Sequence, residues 1–211
     1  MTSIRRYAAL GSSMAAGPGI TPRVPGSPRS AGRSERNYPH LVAAALGTEL
    51  TDVTFSGATT ENLLSRKQFG APPQLAVLDE STDLVTITIG GNDVGYVPMM
   101  IAALTPGLLH RLPGVGAGLT GLLDPARREL ALAAAGPALR AVGTEARDAA
   151  PNARIVFVDY LTLLPPAGQP ARPLSERNAE LARHVAARLA EITASAAADT
   201  GCELVSAAAA S

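Results

Sequence analysis

The chain has 211 residues, 46% hydrophobic and 17% charged, which suits one globular domain with a sizeable core and excludes a disordered chain. Eighteen basic side chains balance eighteen acidic ones, aromatics are only 3%, and Trp is absent. That excludes a basic footprint for nucleic acid or anionic membrane and an aromatic floor for stacking bases or glycans.

From the N-terminus, Arg5 and Arg6 are followed by no cleavable secretory core, because the apolar run from Tyr7 breaks at Gly11. No window approaches the roughly 18 apolar residues of a membrane span, so no stable membrane insertion is expected. The chain as written is expected to be cytoplasmic, or secreted if its start is misassigned. Its single cysteine, Cys202, allows no intramolecular disulfide and no multi-cysteine metal site.

Apolar runs predict strands over Tyr7–Leu10, Leu50–Phe55, Leu84–Ile89, Ile155–Asp159 and Cys202–Ser206. Val85-Thr86-Ile87-Thr88-Ile89 and Ile155-Val156-Phe157-Val158 are almost continuously apolar, as strands covered on both faces are. Helices are predicted over Tyr38–Leu46, Thr59–Leu64, Pro125–Ala149 (with an interruption at Gly136-Pro137) and Ser175–Ala198. In the last, Leu181, Val185, Leu189, Ile192 and Ala196 share one face. Strand and helix alternate, so the class is α/β with a parallel sheet. Pro18–Asn37 and Pro106–Gly121 are expected to be long loops that shape a pocket, the second equally a loose insertion. Nothing divides the chain into separate domains.

Three motifs fall at predicted carboxyl ends of strands, where open α/β sheets bind ligands. Gly11-Ser12-Ser13 ends the first, Ser56-Gly57-Ala58-Thr59-Thr60 the second, and Gly90-Gly91-Asn92-Asp93 the third. Singly, each is an ordinary turn or helix-cap composition. Together they offer a serine hydroxyl on a tight turn, two backbone N–H groups and a side-chain amide, the parts of an acyl-transfer site.

These blocks resemble the SGNH hydrolases, or GDSL esterase/lipase superfamily, in its bacterial lipase-like branch, and the resemblance covers nearly all of the chain. Ala9–Gly19 is similar to the first block, Ser56–Thr60 to the second and Thr88–Tyr96 to the third. The resemblance implies a flavodoxin-like three-layer α/β/α sandwich with a five-stranded, mainly parallel sheet. It implies Ser13 as nucleophile, an oxyanion hole from the N–H groups of Ser13 and Gly57 and the side chain of Asn92, a small-molecule ester as substrate, and no cofactor or metal. Oligomeric state is left open.

Three positions depart from the family pattern. Ser12 stands where an Asp usually precedes the nucleophile, and Phe55 where secreted relatives often carry a disulfide cysteine. The family's late Asp-x-x-His block has no counterpart: the residues three before His40, His110 and His184 are Asn37, Gly107 and Leu181. The expectation from sequence is a single domain over residues 1–211, incomplete at its C-terminus and severely impaired as an enzyme. None of the histidines is expected to substitute as base, and Asp93 or Asp159 only weakly. A non-catalytic module binding esters or carbohydrate is the alternative. A phosphate site is disfavoured, because Gly17-x-Gly19 leads into a proline-rich loop and not a helix N-terminus.

Overall fold

In the computed structural model, residues 4–106, 108–109, 112–113 and 115–210 are described. Five strands, β1 (Arg6–Gly11), β2 (Glu49–Asp52), β3 (Leu84–Thr88), β4 (Arg154–Val158) and β5 (Glu203–Val205), form one sheet in the order β2-β1-β3-β4-β5. Every pairing is parallel, with Tyr7 opposite both Leu50 and Leu84, Leu84 opposite Arg154, and Val156 opposite Glu203. Between them run α1 (Ser13–Ala16), α2 (Tyr38–Leu46), α3 (Thr60–Leu64), α4 (Tyr96–Leu104), α5 (Val115–Leu122), α6 (Pro125–Ala149) and α7 (Glu176–Asp199).

Alternation along the central strands sorts the side chains into two faces. Ala8, Leu10, Val85, Ile87, Ile155 and Phe157 enter the larger core beneath α3, α6 and α7. Tyr7, Ala9, Leu84 and Val156 pack in a small cluster under α2. This is the expected three-layer α/β/α arrangement, with unequal layers. Full burial of side chains such as Phe157, Ile87 and Leu10 contributes roughly 1.5–3 kcal/mol each.

Helix starts follow local chemistry. The Asn37 side chain accepts from the His40 N–H with Pro39 in the first turn of α2, and Asp124 accepts from the Ala126 N–H with Pro125 opening α6.

Three boundaries differ from the sequence expectation. β2 stops at Asp52 and not at Phe55, because the Asp52 carboxylate accepts from the Thr54 N–H at 2.9 Å and its hydroxyl at 2.6 Å and turns the chain. α6 runs unbroken through Gly136-Pro137. Pro137 and Ala133, whose carbonyl the missing proline N–H leaves unbonded, are both exposed, so that carbonyl is open to solvent in place of the lost bond. Pro106–Gly121 is not all loop: α5 occupies Val115–Leu122, and α4 precedes the segment. The glycines of α5, and the proline in the first turn of α4, obscured the helical pattern.

The second face is only partly covered. Beside α2, Ile4, Leu84, Val156, Val158 and Val205 line an apolar groove of about 590 Å³. In β5, Leu204 is 40% and Val205 52% exposed. No helix among the described residues is long and apolar enough to cross a membrane.

Candidate active site

The strand order reverses direction between β1 and β3, and in such sheets the crevice at the carboxyl ends beside that switch point takes the ligand. Ser13 follows β1 and the Gly90–Asp93 loop follows β3, so both flank it.

The turn after β1 is set by Gly11, whose φ of +145° is open only to glycine. A Cβ there would sit 2.5 Å from the Thr88 carbonyl oxygen. Gln74 buttresses this backbone: Gly11 N–H donates to its Oε1 at 2.7 Å, and its Nε2 donates back to the Gly11 carbonyl at 3.1 Å. Ser12 is the N-cap of α1 but its hydroxyl makes no cap bond. It lies 3.0 Å from the Tyr160 hydroxyl instead. Ser13, the first residue of α1, is half-buried, and its Oγ has no hydrogen-bond partner among the described residues.

The second block is held next to the first. Phe55 N–H donates to the Gly11 carbonyl at 2.9 Å, and the Ser56 N–H and hydroxyl both reach the Ala31 carbonyl, at 3.0 and 2.9 Å. Gly57 follows with φ +80°, and its N–H has no acceptor among the described residues. The third block closes over it. Asn92 Nδ2 donates to the Ala58 carbonyl at 2.8 Å, leaving its second N–H without an acceptor among the described residues. Asp93 accepts from the Thr60 N–H at 3.0 Å and the Thr60 hydroxyl at 2.6 Å. Arg128, a buried residue of α6, donates to the Val94 carbonyl at 2.6 Å and fixes the far end of the loop.

The long Pro18–Asn37 segment lies across the ends of β1 and β2. Ser34 N–H donates to the Ala16 carbonyl at 2.9 Å, Arg33 Nε to the Thr54 carbonyl at 2.6 Å, and Asn37 Nδ2 to Asp52 at 2.9 Å. Burial holds the Arg33 guanidinium below its ordinary value, opposed by the nearby Asp52.

Histidines and carboxylates weighed as bases are engaged elsewhere. His40 Nδ1 is 2.7 Å from Asn37 Oδ1 and 3.6 Å from Asp52, and His184 Nε2 is 2.5 Å from Glu129 on the helical surface. His110 lies outside the described residues. Asp93 is bonded to Thr60, and Asp159 accepts from the Ser206 hydroxyl at 2.8 Å and the Ala208 N–H at 3.0 Å. Among the described residues, no group of three or more His, Cys, Asp and Glu could hold a metal ion.

Gln74, Arg128 and Tyr160 support the blocks without belonging to any of them. Tyr160 carried a weak signal, as a hydroxyl-bearing residue just past an apolar strand. Gln74, behind two prolines in the connection between α3 and β3, carried none. Beyond Tyr160 opens a cavity of about 350 Å³ lined by Tyr96, Leu161, Leu163, Leu164 and Leu189.

A flavodoxin-ordered sheet with a serine turn, a glycine turn and an asparagine loop at three adjacent strand ends defines an α/β protein of hydrolase type. Residues 9–211 match the model of the GDSL-like lipase/acylhydrolase family, and the chain belongs to that family. It is 34% identical to Lipase 2 of Streptomyces coelicolor over 204 residues, 94% of this chain and 68% of that protein. Among solved structures, the extracellular lipase of Streptomyces rimosus superposes with a TM-score of 0.77 at 30% identity, covering 96% of this chain and 80% of that one. Phospholipase A1 of Streptomyces albidoflavus NA297 superposes with a TM-score of 0.76 at 27% identity, covering 98% and 81%.

Proposed function

We propose that this chain is a serine ester hydrolase that works through an acyl-enzyme on Ser13. The observation that carries the reading is the set of N–H groups at three adjacent strand ends, the backbone N–H of Ser13 and of Gly57 and the second side-chain N–H of Asn92, left without protein acceptors among the described residues beside an unbonded Ser13 hydroxyl. Ser13 Oγ attacks the ester carbonyl carbon and gives up its proton to solvent water, which returns one to the departing alkoxide. The carbonyl oxygen becomes an oxyanion and takes the three N–H groups. The tetrahedral centre then collapses, expelling the alcohol, and water releases the acid from the acyl-serine. One such donor contributes about 10²–10³ in rate where it has been removed by mutation. The relatives named lipase and phospholipase A1 support an ester as the substrate.

No described residue accepts the Ser13 proton. In a serine protease, removing the histidine costs on the order of 10⁶ in kcat and leaves about 10³–10⁴ over water from the oxyanion hole and binding. The 211-residue chain is therefore expected to acylate slowly.

The test is incubation with p-nitrophenyl butyrate, followed by peptide mass mapping. A butyryl adduct on the Ser13 peptide, absent in Ser13→Ala, supports the reading. Equal acylation in that variant overturns it. Tight binding of an ester with no adduct favours the non-catalytic module, a reading that the unpartnered Ser13 hydroxyl also fits.

A further inference from the structure

We propose that Tyr160 is a positioning residue, whose hydroxyl ties the turn carrying Ser13 to the loop carrying Asn92 and so sets the spacing between nucleophile and oxyanion donor. The inference rests on the reading of Ser13 and Asn92 given above.

Tyr160 lies just past β4, which pairs with β3 and not with β1. Its side chain reaches past the end of β3 to the turn after β1. There its oxygen is 3.0 Å from Ser12 Oγ, and it accepts from the Gly91 N–H at 2.9 Å. Those two residues immediately precede Ser13 and Asn92. One oxygen atom therefore bridges the residues next to both reacting groups.

The bridge is built into the packing. A Cβ on Gly91 would meet the Tyr160 Cζ and hydroxyl oxygen at 2.8 Å, so only glycine lets this ring lie against the loop. Ser12 is 1% exposed and leaves the N-cap of α1 without a side-chain bond, so its hydroxyl serves the tyrosine instead of its own helix. A phenol has one proton and two acceptor sites, which suits accepting from Gly91 and sharing a hydrogen bond with Ser12. Burial, the dominant cause, pushes this phenol up to about 12 against the opposing hydrogen bonds, so it remains neutral throughout the range where the enzyme would work. Donors aimed at an oxyanion act over 2.7–3.1 Å, and a displacement of about 1 Å can cost 10²-fold. The loop's other ties, from Asn92 to Ala58, Asp93 to Thr60 and Arg128 to Val94, join it to the second block and to α6. Among the described residues, the Ser12–Tyr160–Gly91 bridge is a side-chain link from the loop to the turn of the nucleophile, beside the backbone bond from Ser12 N–H to the Thr88 carbonyl at 2.9 Å.

Tyr160→Phe keeps the ring against Gly91 and removes only the oxygen. The maximal rate of Ser13 acylation by p-nitrophenyl butyrate is expected to fall about tenfold, with the half-saturating ester concentration unchanged. The Gly91 amide is expected to exchange faster with solvent deuterium. Ser12→Ala should lower the maximal rate in the same direction, and the double variant should lose less than the product of the two single losses. A wild-type maximal rate in Tyr160→Phe, or a change confined to half-saturation, overturns the proposal while adduct formation on Ser13 still stands. If Tyr160→Phe does not fold, Ser12→Ala decides alone, and an unchanged rate there overturns the proposal. Failure of the wild-type chain to acylate at Ser13 overturns the nucleophile reading and this one with it.

Discussion

Gln74→Ala tests how the turn before Ser13 is held. The Gln74 side chain is buried and closes a two-bond ring with the Gly11 backbone, at 2.7 and 3.1 Å. Truncation leaves the buried Gly11 N–H without an acceptor, at a cost of about 1–3 kcal/mol, and removes a second bond worth about 0.5–1.5 kcal/mol. The Gly11 carbonyl keeps its bond from Phe55 N–H, so it is not orphaned. The sum is about 1.5–4.5 kcal/mol, a large part of the 5–15 kcal/mol by which a domain is usually stable. Urea unfolding followed by circular dichroism reads the loss as a lower midpoint at unchanged slope. Gln74→Leu separates the contributions, since it fills the space without making either bond. Both variants should lose similar stability. A Gln74→Ala protein within about 0.5 kcal/mol of the parent, or full recovery in Gln74→Leu, refutes the hydrogen-bond account.

Burial is the leading cause that raises the phenols of all four tyrosines, Tyr7, Tyr38, Tyr96 and Tyr160. The native protein should therefore develop little phenolate absorbance near pH 10, while the urea-unfolded chain titrates there, and a native titration matching free tyrosine contradicts this. A phenol whose folded value is raised gives stability fully present below its unfolded value and lost as pH rises through the folded one; for Tyr160 the window runs from 10.0 to about 12. Gly11→Ala combines a forbidden φ with a Cβ 2.5 Å from the Thr88 carbonyl and should abolish folding; a normal cooperative melt would count against the turn geometry. The uncovered groove beside α2, with exposed Leu204 and Val205, should bind an apolar fluorescent dye and favour aggregation of the isolated chain. A dye-silent monomer with a high-temperature melt would show that this face is not adhesive.

The α/β class, the five parallel strands and the membership of Gly11–Ser13, Ser56–Thr60 and Gly90–Asp93 in one region were legible in the sequence. Buried parallel strands are continuous apolar runs, and ligand loops in such sheets follow strand ends. Local pattern failed where tertiary context outweighs propensity. Gly136-Pro137 looked like a break, yet its lost hydrogen bond faces solvent. The glycines of α5 disguised a helix, and Asp52 ended β2 early through a bond to Thr54. The linear sequence also contains Tyr160, Gln74 and Arg128, but beyond the place of Tyr160 at a strand end nothing in their neighbourhoods says that they converge on the three blocks. Their partners lie 69, 63 and 34 residues away. Sequence periodicity determines which face of a strand or helix is buried. Only the assembled sheet decides which distant hydroxyl, amide or guanidinium satisfies a buried backbone group, because that depends on strand order and register.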